Sequence, residues 1–231
     1  MPTPAPHFPP AALTFLRALA RNNDRDWFRA RKEAYERDVR GPMIAVIEQL
    51  DRDFRSFAPE LVASPKTSLF RIYRDTRFSA DKSPLKTNIG ALFPHRGLPR
   101  KSGAGLYLEL NAKYLGLAGG IYNPSPQELR AVRQHIAANV SRLRSIVEAP
   151  TFVRETGGLQ GDALERMPLG FPADHPGADY LRQKQFYTWR ELPPKTALGP
   201  AFYPTLVRYF KAAMPLVRFL NEPLLARAPR S

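Results

Sequence analysis

Apolar residues at three- and four-residue spacing predict three helices near the start of the chain. The first covers AALTFLRALA, residues 11–20. The second covers NDRDWFRARKEAYERDV, residues 23–39, with Asn23 as its N-cap and two acids in its first turn. The third covers PMIAVIEQLDRDFRSF, residues 42–57, and begins with Pro42, which the first turn of a helix tolerates. We therefore expect an N-terminal helical layer.

From Leu69 onward the apolar period changes to two, which is typical of strands. Within residues 69–78 the two alternating faces are Phe70, Ile72, Thr76 and Phe78 against Arg71, Tyr73, Asp75 and Arg77. Further strands are predicted in KTNIGALF (86–93), GLYLEL (105–110), NAKYLGLAGGIY (111–122) and QFYTWREL (185–192). Because most of these strands follow one another in series, they predict an antiparallel sheet of about four to five strands.

The remaining segments return to helical spacing. The stretch NPSPQELRAVRQHIAANVSRLRSIV, residues 123–147, has Ser125 as N-cap and Glu128 at the capping-box position, and it predicts one long amphipathic helix. A short helix is predicted in GDALERMP (161–168), and a C-terminal helix kinked near its prolines in residues 200–220. Helices flanking strands in series predict an α+β fold with N-terminal, central and C-terminal helices.

Length and composition limit the class of protein. A chain of 231 residues that is 43% hydrophobic can bury a full core, so residues 1–231 are expected to form a single domain with a flexible start at 1–10. The chain has no apolar run of about 18 residues, and its start lacks the pattern of a secretory signal. We therefore expect a cytoplasmic protein with no membrane partner.

The residue types present also exclude several kinds of chemistry. With no cysteine, the chain has neither disulfides nor a thiolate nucleophile, and its four scattered histidines do not predict a metal site. No Walker loop, G-x-S-x-G, H-E-x-x-H or Rossmann pattern occurs in the sequence. The sequence therefore does not show whether the protein is an enzyme. It also leaves unknown the catalytic residues, the cofactors and the oligomeric state.

Positive charge is concentrated in one part of the chain. The formal net charge is +14, and residues 61–105 carry nine basic and two acidic side chains, or +7 of that excess. A field of this sign concentrates anions near the protein. An arginine-rich composition can also arise from a GC-rich genome, which leaves a merely solvated basic surface as the alternative.

The predicted strand at 69–78 would place Arg71, Asp75 and Arg77 in one row, because side chains two residues apart share a face. Asp75 between two guanidinium groups would hold them ready to grip a phosphate or carboxylate. Arg74 falls on the opposite face, so either the strand breaks there or Arg74 is buried against a carboxylate from elsewhere. The alternative is an internal ion-pair ladder that joins sheet to helices.

The following loop, SADKSPLKTN, extends the basic character. Asp81 is suited to turn and cap hydrogen bonds, and Lys82 and Lys86 could close over a ligand that the arginines hold. Asn88 would share a sheet face with Lys86. The predicted ligand-binding residues are Arg71, Arg74, Asp75, Arg77, Asp81, Lys82, Lys86 and Asn88.

Three functions are compatible with this basic segment, residues 70–90. The first is binding of a phosphorylated small molecule or nucleotide, with or without a chemical step. The second is a nucleic-acid-binding module, in which an exposed basic stripe would follow the phosphates. The third is a structural or interaction protein in which the basic segment forms the internal ladder. Glu109, on the polar side of its strand, could pair with an arginine or act as a base.

The basic segment also has a specific motif. It reads Arg71-x-x-Arg74-Asp75-x-Arg77-Phe78-Ser79-x-Asp81-Lys82-x-Pro84-x-Lys86, and the chain also contains NNDRDWFRARKEAYERDVRGP, GGIYNPSPQEL, GFPADHPGADYLRQKQF and PLVRFLNEPL. These stretches span nearly the whole chain, which resembles the bacterial and fungal family called domain of unknown function 2461. The sequence departs from that pattern at Leu85, where the family has an aromatic residue, usually Tyr. The resemblance brings no activity with it, so the chemistry must come from the residues.

Overall fold

The structure, a computed structural model, describes residues 5–77 and 79–226. Helices occupy the first part of the chain, in the order α1 (Pro10–Arg21), α2 (Arg25–Arg29), α3 (Lys32–Tyr35), α4 (Gly41–Phe57) and α5 (Pro65–Ser68). A π-helical turn, Glu36–Arg40, joins α3 to α4. Apolar residues of these helices, among them Leu16, Phe28, Ile47 and Leu50, are buried. The predicted N-terminal helices are confirmed, although their boundaries differ.

The second predicted helix begins one residue later than expected and is not continuous. Asp24 is its N-cap, because its carboxylate accepts hydrogen bonds from the backbone N–H groups of Asp26 at 2.8 Å and Trp27 at 2.9 Å. The prediction of Asn23 as N-cap was therefore wrong. The side chain of Asn23 instead bonds to a distant segment, described below with the site.

Four strands form one antiparallel sheet in the order β1 (Asn88–Phe93), β2 (Gly105–Asn111), β3 (Leu115–Ile121) and β4 (Phe186–Leu192). A tight turn joins β2 to β3, in which the Asn111 carboxamide oxygen accepts the N–H groups of Lys113 and Tyr114 at 2.7 and 2.9 Å. The predicted α+β fold with an antiparallel sheet is confirmed.

The predicted strand at 69–78 was wrong as a continuous element. The described residues of this segment form isolated bridges, Leu69 with Ala91 of β1 and Tyr73 with Leu85, which lies before β1. The pairing ends there because Pro84 has no N–H to offer and because the Asp75 carboxylate accepts the Arg77 N–H at 3.3 Å, which starts a turn. The part of the prediction that falls on Phe78 lies outside the described residues.

The second half of the chain is mainly helical, with α6 (Pro126–Ala138), α7 (Val140–Val147), α8 (Pro150–Thr156), α9 (Ala178–Leu181) and α10 (Phe202–Leu225), and a 3₁₀ turn at Pro194–Leu198. The Ser125 and Glu128 capping box forms as predicted. One long helix was predicted here, but Asn139 (φ −137°, ψ 35°) separates α6 from α7. Its amide donates to the carbonyl of His135 at 2.8 Å, which satisfies the end of α6.

Two other predictions for this half need correction. Residues 161–168 form no helix, because Gly161 has φ +154° and Ala163 forms a bridge with Gln183. The C-terminal helix is longer than predicted and continues past Pro215. None of the helices in the described ranges is long and apolar enough to cross a membrane.

The chain divides into two compact units, each with its own buried residues. The first comprises Met1–Leu92, Tyr107–Gly116 and Glu191–Val207, and the second Phe93–Leu106, Leu117–Arg190 and Arg208–Ser231. All eight predicted ligand-binding residues belong to the first unit. A single domain over 1–231 stays a prediction.

Residues 1–10 were predicted to be flexible, and those that the structure describes, residues 5–10, belong to the first unit. Phe8 is fully buried, its N–H donates to the carbonyl of Ala197 at 2.9 Å, and its ring meets that of Phe202 edge-on at 5.8 Å. The chain is therefore anchored at Phe8.

Candidate functional site

A pocket of about 370 Å³ lies between the end of α1 and the segment that leads into β1. We call it the basic pocket. Of the eight predicted ligand-binding residues, four line it: Arg74, Asp81, Lys86 and Asn88. Asn23 and Leu85 belong to the same wall. The basic pocket therefore joins residues that are up to 68 positions apart in the chain, from Ala20 to Asn88.

A pair of hydrogen bonds fixes the wall of the basic pocket. The Asn23 side chain donates to the Leu85 carbonyl at 2.9 Å, and its amide oxygen accepts the Leu85 N–H at 3.0 Å. Leu85 itself is fully buried. The wall therefore depends on the backbone of Leu85 and on the burial of its side chain.

Arg74 is held in the basic pocket by neighbours from its own segment. Its guanidinium forms an ion pair with Asp81, and a second nitrogen lies 3.4 Å from the Ser79 hydroxyl. Hydrogen bonds from the Ser83 hydroxyl and N–H, and then from Arg74, hold the pKa of Asp81 well below its ordinary value. The carboxylate is therefore ionised and orients Arg74. Two arrangements were predicted for Arg74: a break in the strand, or burial against a carboxylate from elsewhere. The strand breaks, and the carboxylate that pairs with Arg74 is that of Asp81, seven residues further along the chain.

Asp75 does not stand between two guanidinium groups, and that prediction was wrong. Its carboxylate accepts hydrogen bonds from Arg77 alone, at 3.0 and 2.8 Å, and the Arg77 side chain is 77% exposed. Arg71 is exposed and contributes only at longer range to the lowered pKa of Asp75, behind the hydrogen bonds from Arg77. Lys82 donates to the Thr76 carbonyl at 3.1 Å. These four predicted residues do not line the basic pocket.

Lys86 is positioned by aromatic side chains. Its ammonium nitrogen lies 4.8 Å from the centre of the Phe70 ring, within cation–π range. The Phe70 ring in turn meets the Tyr107 ring edge-on at 6.2 Å. This contact restrains a side chain that would otherwise sample many rotamers, so its charge is held at the pocket wall.

Glu109 is a site residue that the prediction did not include. Its carboxylate accepts hydrogen bonds from the Asn88 amide at 2.7 Å and the Tyr107 hydroxyl at 2.6 Å. It is only 9% exposed, and no basic side chain in the described part of the chain pairs with it. The predicted arginine partner is therefore wrong there. The sequence offered one signal for Glu109, because the period-two pattern placed it on the polar face of β2.

The hydrogen bonds to Glu109 depend on protonated tyrosines. Burial, and then the charge of Glu109, raises the pKa of Tyr107, and burial with the hydrogen bond to Glu109 raises the pKa of Tyr114 to about 12. Both hydroxyls are therefore protonated at neutral pH, and that of Tyr107 donates its hydrogen bond to Glu109. Tyr107 lies close against β1 because residue 90 is glycine: a Cβ at Gly90 would stand 2.7 Å from the Tyr107 hydroxyl.

The Glu109 carboxylate also decides which way the Asn88 side chain is turned. The NH₂ group of Asn88 donates to the Glu109 carboxylate at 2.7 Å, so the amide nitrogen faces Glu109. The carbonyl oxygen of the amide is then the group that Asn88 has left for a ligand. The basic pocket therefore offers two cations, Arg74 and Lys86, and a neutral acceptor, which suits an anion that carries a hydroxyl group.

Fold and pocket together define an α+β protein with a cationic pocket beside the first strand of its sheet. The chain belongs to the family described as "Conserved hypothetical protein (DUF2461)", whose model matches residues 11–219. This confirms the resemblance seen in the motif. No curated protein and no solved structure matches the chain. In the described ranges, no group of three or more histidine, aspartate and glutamate side chains is placed to hold a metal ion.

Proposed function

We propose that the protein binds a phosphorylated small molecule or a nucleotide in the basic pocket. The observation that carries this proposal is the placement of Arg74 and Lys86 on the wall of one space of about 370 Å³. That volume is in the range of small-ligand sites. Among the described residues, two cations and one acid, Asp81, line this pocket, so the lining itself keeps a net positive charge that an anion would balance.

The roles of the lining residues follow from their chemistry. Arg74, oriented by Asp81, would donate to phosphate oxygens in the planar geometry that guanidinium groups favour. Lys86 would supply a point charge, and the Asn88 carbonyl would accept a hydrogen bond from a ligand hydroxyl. Phosphorylated metabolites and nucleotides are charged and cross membranes poorly, so we also propose that the protein acts in the cytoplasm.

Nucleic acid is the second candidate, and it rests on the exposed basic residues outside the pocket. Arg71, Arg77 and Lys82 belong to the same segment and could contact a phosphate backbone. Arg77 is already paired with Asp75, which lowers the positive charge that this surface presents. The placement of Arg74 and Lys86 on one pocket of about 370 Å³ favours a small ligand over nucleic acid.

An internal ion-pair ladder is the third candidate, and the geometry favours it least. Its two ion pairs join residues two and seven positions apart in one segment, and at least one partner of each is well exposed. Exposed pairs of this kind contribute little to stability, because water and salt screen their charges. They are poor candidates for joining sheet to helices.

A thermal-shift screen of nucleotides, sugar phosphates, polyphosphate and short oligonucleotides tests the proposal. A ligand that binds only the folded state at about 100 times its Kd stabilises it by about 2.7 kcal/mol, which a melting curve detects. We expect one class of phosphorylated small molecule to raise the melting temperature. Stabilisation by oligonucleotides alone, or by no phosphate compound, would refute the proposal.

A further inference from the structure

The second unit holds another pocket, of about 630 Å³, which shares no residue with the basic pocket. We call it the apolar pocket. Its walls come from the first turns of α6 and from residues 168–171, and they are apolar over most of their extent: Pro126, Leu129, Pro168, Leu169 and Phe171. Leu169 is fully exposed, so its side chain adds accessible apolar surface to this wall.

The polar residues of the apolar pocket are Arg130, Arg133 and Gln134, and Arg133 is a buried cation with no acidic partner in the described part of the chain. Arg133 is only 9% exposed, and one guanidinium nitrogen donates to the Gln183 carbonyl at 2.9 Å. Its Nε is buried without a hydrogen-bond partner, and no carboxylate in the described part of the chain pairs with the side chain. Burial alone lowers the pKa of Arg133. A buried guanidinium without an acid costs free energy that a bound anion would recover.

We propose that the apolar pocket binds a small organic carboxylate with an apolar chain, of the fatty-acid type. The carboxylate would meet Arg133, and the chain would lie against Leu129, Leu169 and Phe171. No acid lines the pocket and Arg130 adds a second positive charge, so an anionic head group is matched by charge. The apolar walls match the chain rather than a phosphate ester. Because the two pockets share no residue, this inference is independent of the function proposed for the first unit.

Isothermal titration with three compounds tests the ligand class. Decanoate carries both the chain and the charge, decanol carries only the chain, and acetate carries only the charge. We expect decanoate, used below its micelle concentration, to bind one site at least about tenfold more tightly than either of the others, as expected for a charge-assisted hydrogen bond added to apolar contact. Equal binding of decanoate and decanol, or of decanoate and acetate, would overturn the proposal.

Variants locate the binding. Arg133→Met should weaken decanoate binding about tenfold or more, and the melting temperature of the ligand-free variant should equal or exceed that of the parent, because an unpaired buried charge is removed. Leu169→Asn changes a fully exposed side chain and so should leave the fold intact while it weakens decanoate binding severalfold. Arg17→Met, on the exposed face of α1, removes the same charge and should change nothing. Parent-like decanoate binding by the Arg133 and Leu169 variants would overturn the site.

Discussion

At the scale of single residues, a buried carboxylate held by neutral donors, that of Glu109, contacts the basic pocket through its hydrogen bond with Asn88. Glu109 accepts hydrogen bonds from Asn88 and Tyr107, and no basic side chain among the residues described pairs with it. A carboxylate in this position needs its donors, since a buried charge without hydrogen bonds is costly. The same charge makes ionisation of the neighbouring tyrosines unfavourable, and this has a consequence for stability at high pH.

The raised pKa of Tyr114 predicts a loss of stability at alkaline pH. Its pKa is about 12 in the folded protein against 10.0 for a free tyrosine. A pKa raised by folding gives stability that is complete below the unfolded value and is lost as the pH rises through the folded value. Tyr114→Phe should therefore lose less free energy of unfolding between about pH 8 and about pH 11 in urea titrations. The same loss in parent and variant would show that Tyr114 titrates normally.

At the scale of elements, the basic pocket depends on one long-range connection. The end of α1 is joined to the segment before β1 by the two hydrogen bonds between Asn23 and the backbone of Leu85. These bonds take the place of a strand ladder at a point where Pro84 has no N–H to donate. The connection therefore fixes the backbone position from which the Lys86 and Asn88 side chains extend.

Asn23→Ala should destabilise the protein by about 1 to 3 kcal/mol, because it leaves the N–H and C=O groups of the buried Leu85 without partners. Asn22→Ala is the matched control. The Asn22 side chain is exposed and bonds only to Ala18 in its own helix, at 2.9 Å, so its loss should cost a few tenths of a kcal/mol by the standard of exposed helical residues. Urea unfolding measures both. Equal effects would contradict the role given to Asn23.

The sequence predicted the sheet strands well because alternation is a local signal. The period-two pattern of KTNIGALF and GLYLEL predicted the strands that the structure has as β1 and β2, although β1 begins at Asn88 and leaves Lys86 outside the strand. The contact between Asn88 and Glu109 could not be predicted. It depends on the register of β1 against β2, which the intervening loop fixes and the residue pattern does not.

Alternation misled the prediction where side-chain hydrogen bonds replaced strand pairing. Residues 69–78 alternate as a strand does, but Asp75 bonds to its own neighbour Arg77 and turns the chain. The row of three charges was therefore not formed, and only Arg74 of the arginines reached the basic pocket. Asn139 interrupted the predicted long helix by the same kind of local side-chain bond.

At the scale of the whole molecule, the net charge of +14 affects every anionic ligand. Small and polymeric ligands should nevertheless differ in their response to salt, because the loss of affinity scales with the number of phosphates neutralised. Between about 50 and 200 mM salt, a small phosphate compound held by two cations should lose less than about tenfold in affinity, whereas an oligonucleotide that neutralises several phosphates should lose about a thousandfold. Titrations at both salt concentrations measure this, and a steep loss for the small compound would place it on the open surface.

The most direct test of the proposed function compares Arg74→Met with Arg77→Met. Both variants remove one positive charge from the same motif, so the overall field is equal, but only Arg74 lines the basic pocket. The measurement is the Kd, by isothermal titration, of the phosphorylated compound that most stabilises the parent. Arg74→Met should weaken it about tenfold or more, through loss of charge-assisted hydrogen bonds, and Arg77→Met should stay within about twofold. Equal losses in both variants, or no loss in Arg74→Met, would contradict binding in the basic pocket.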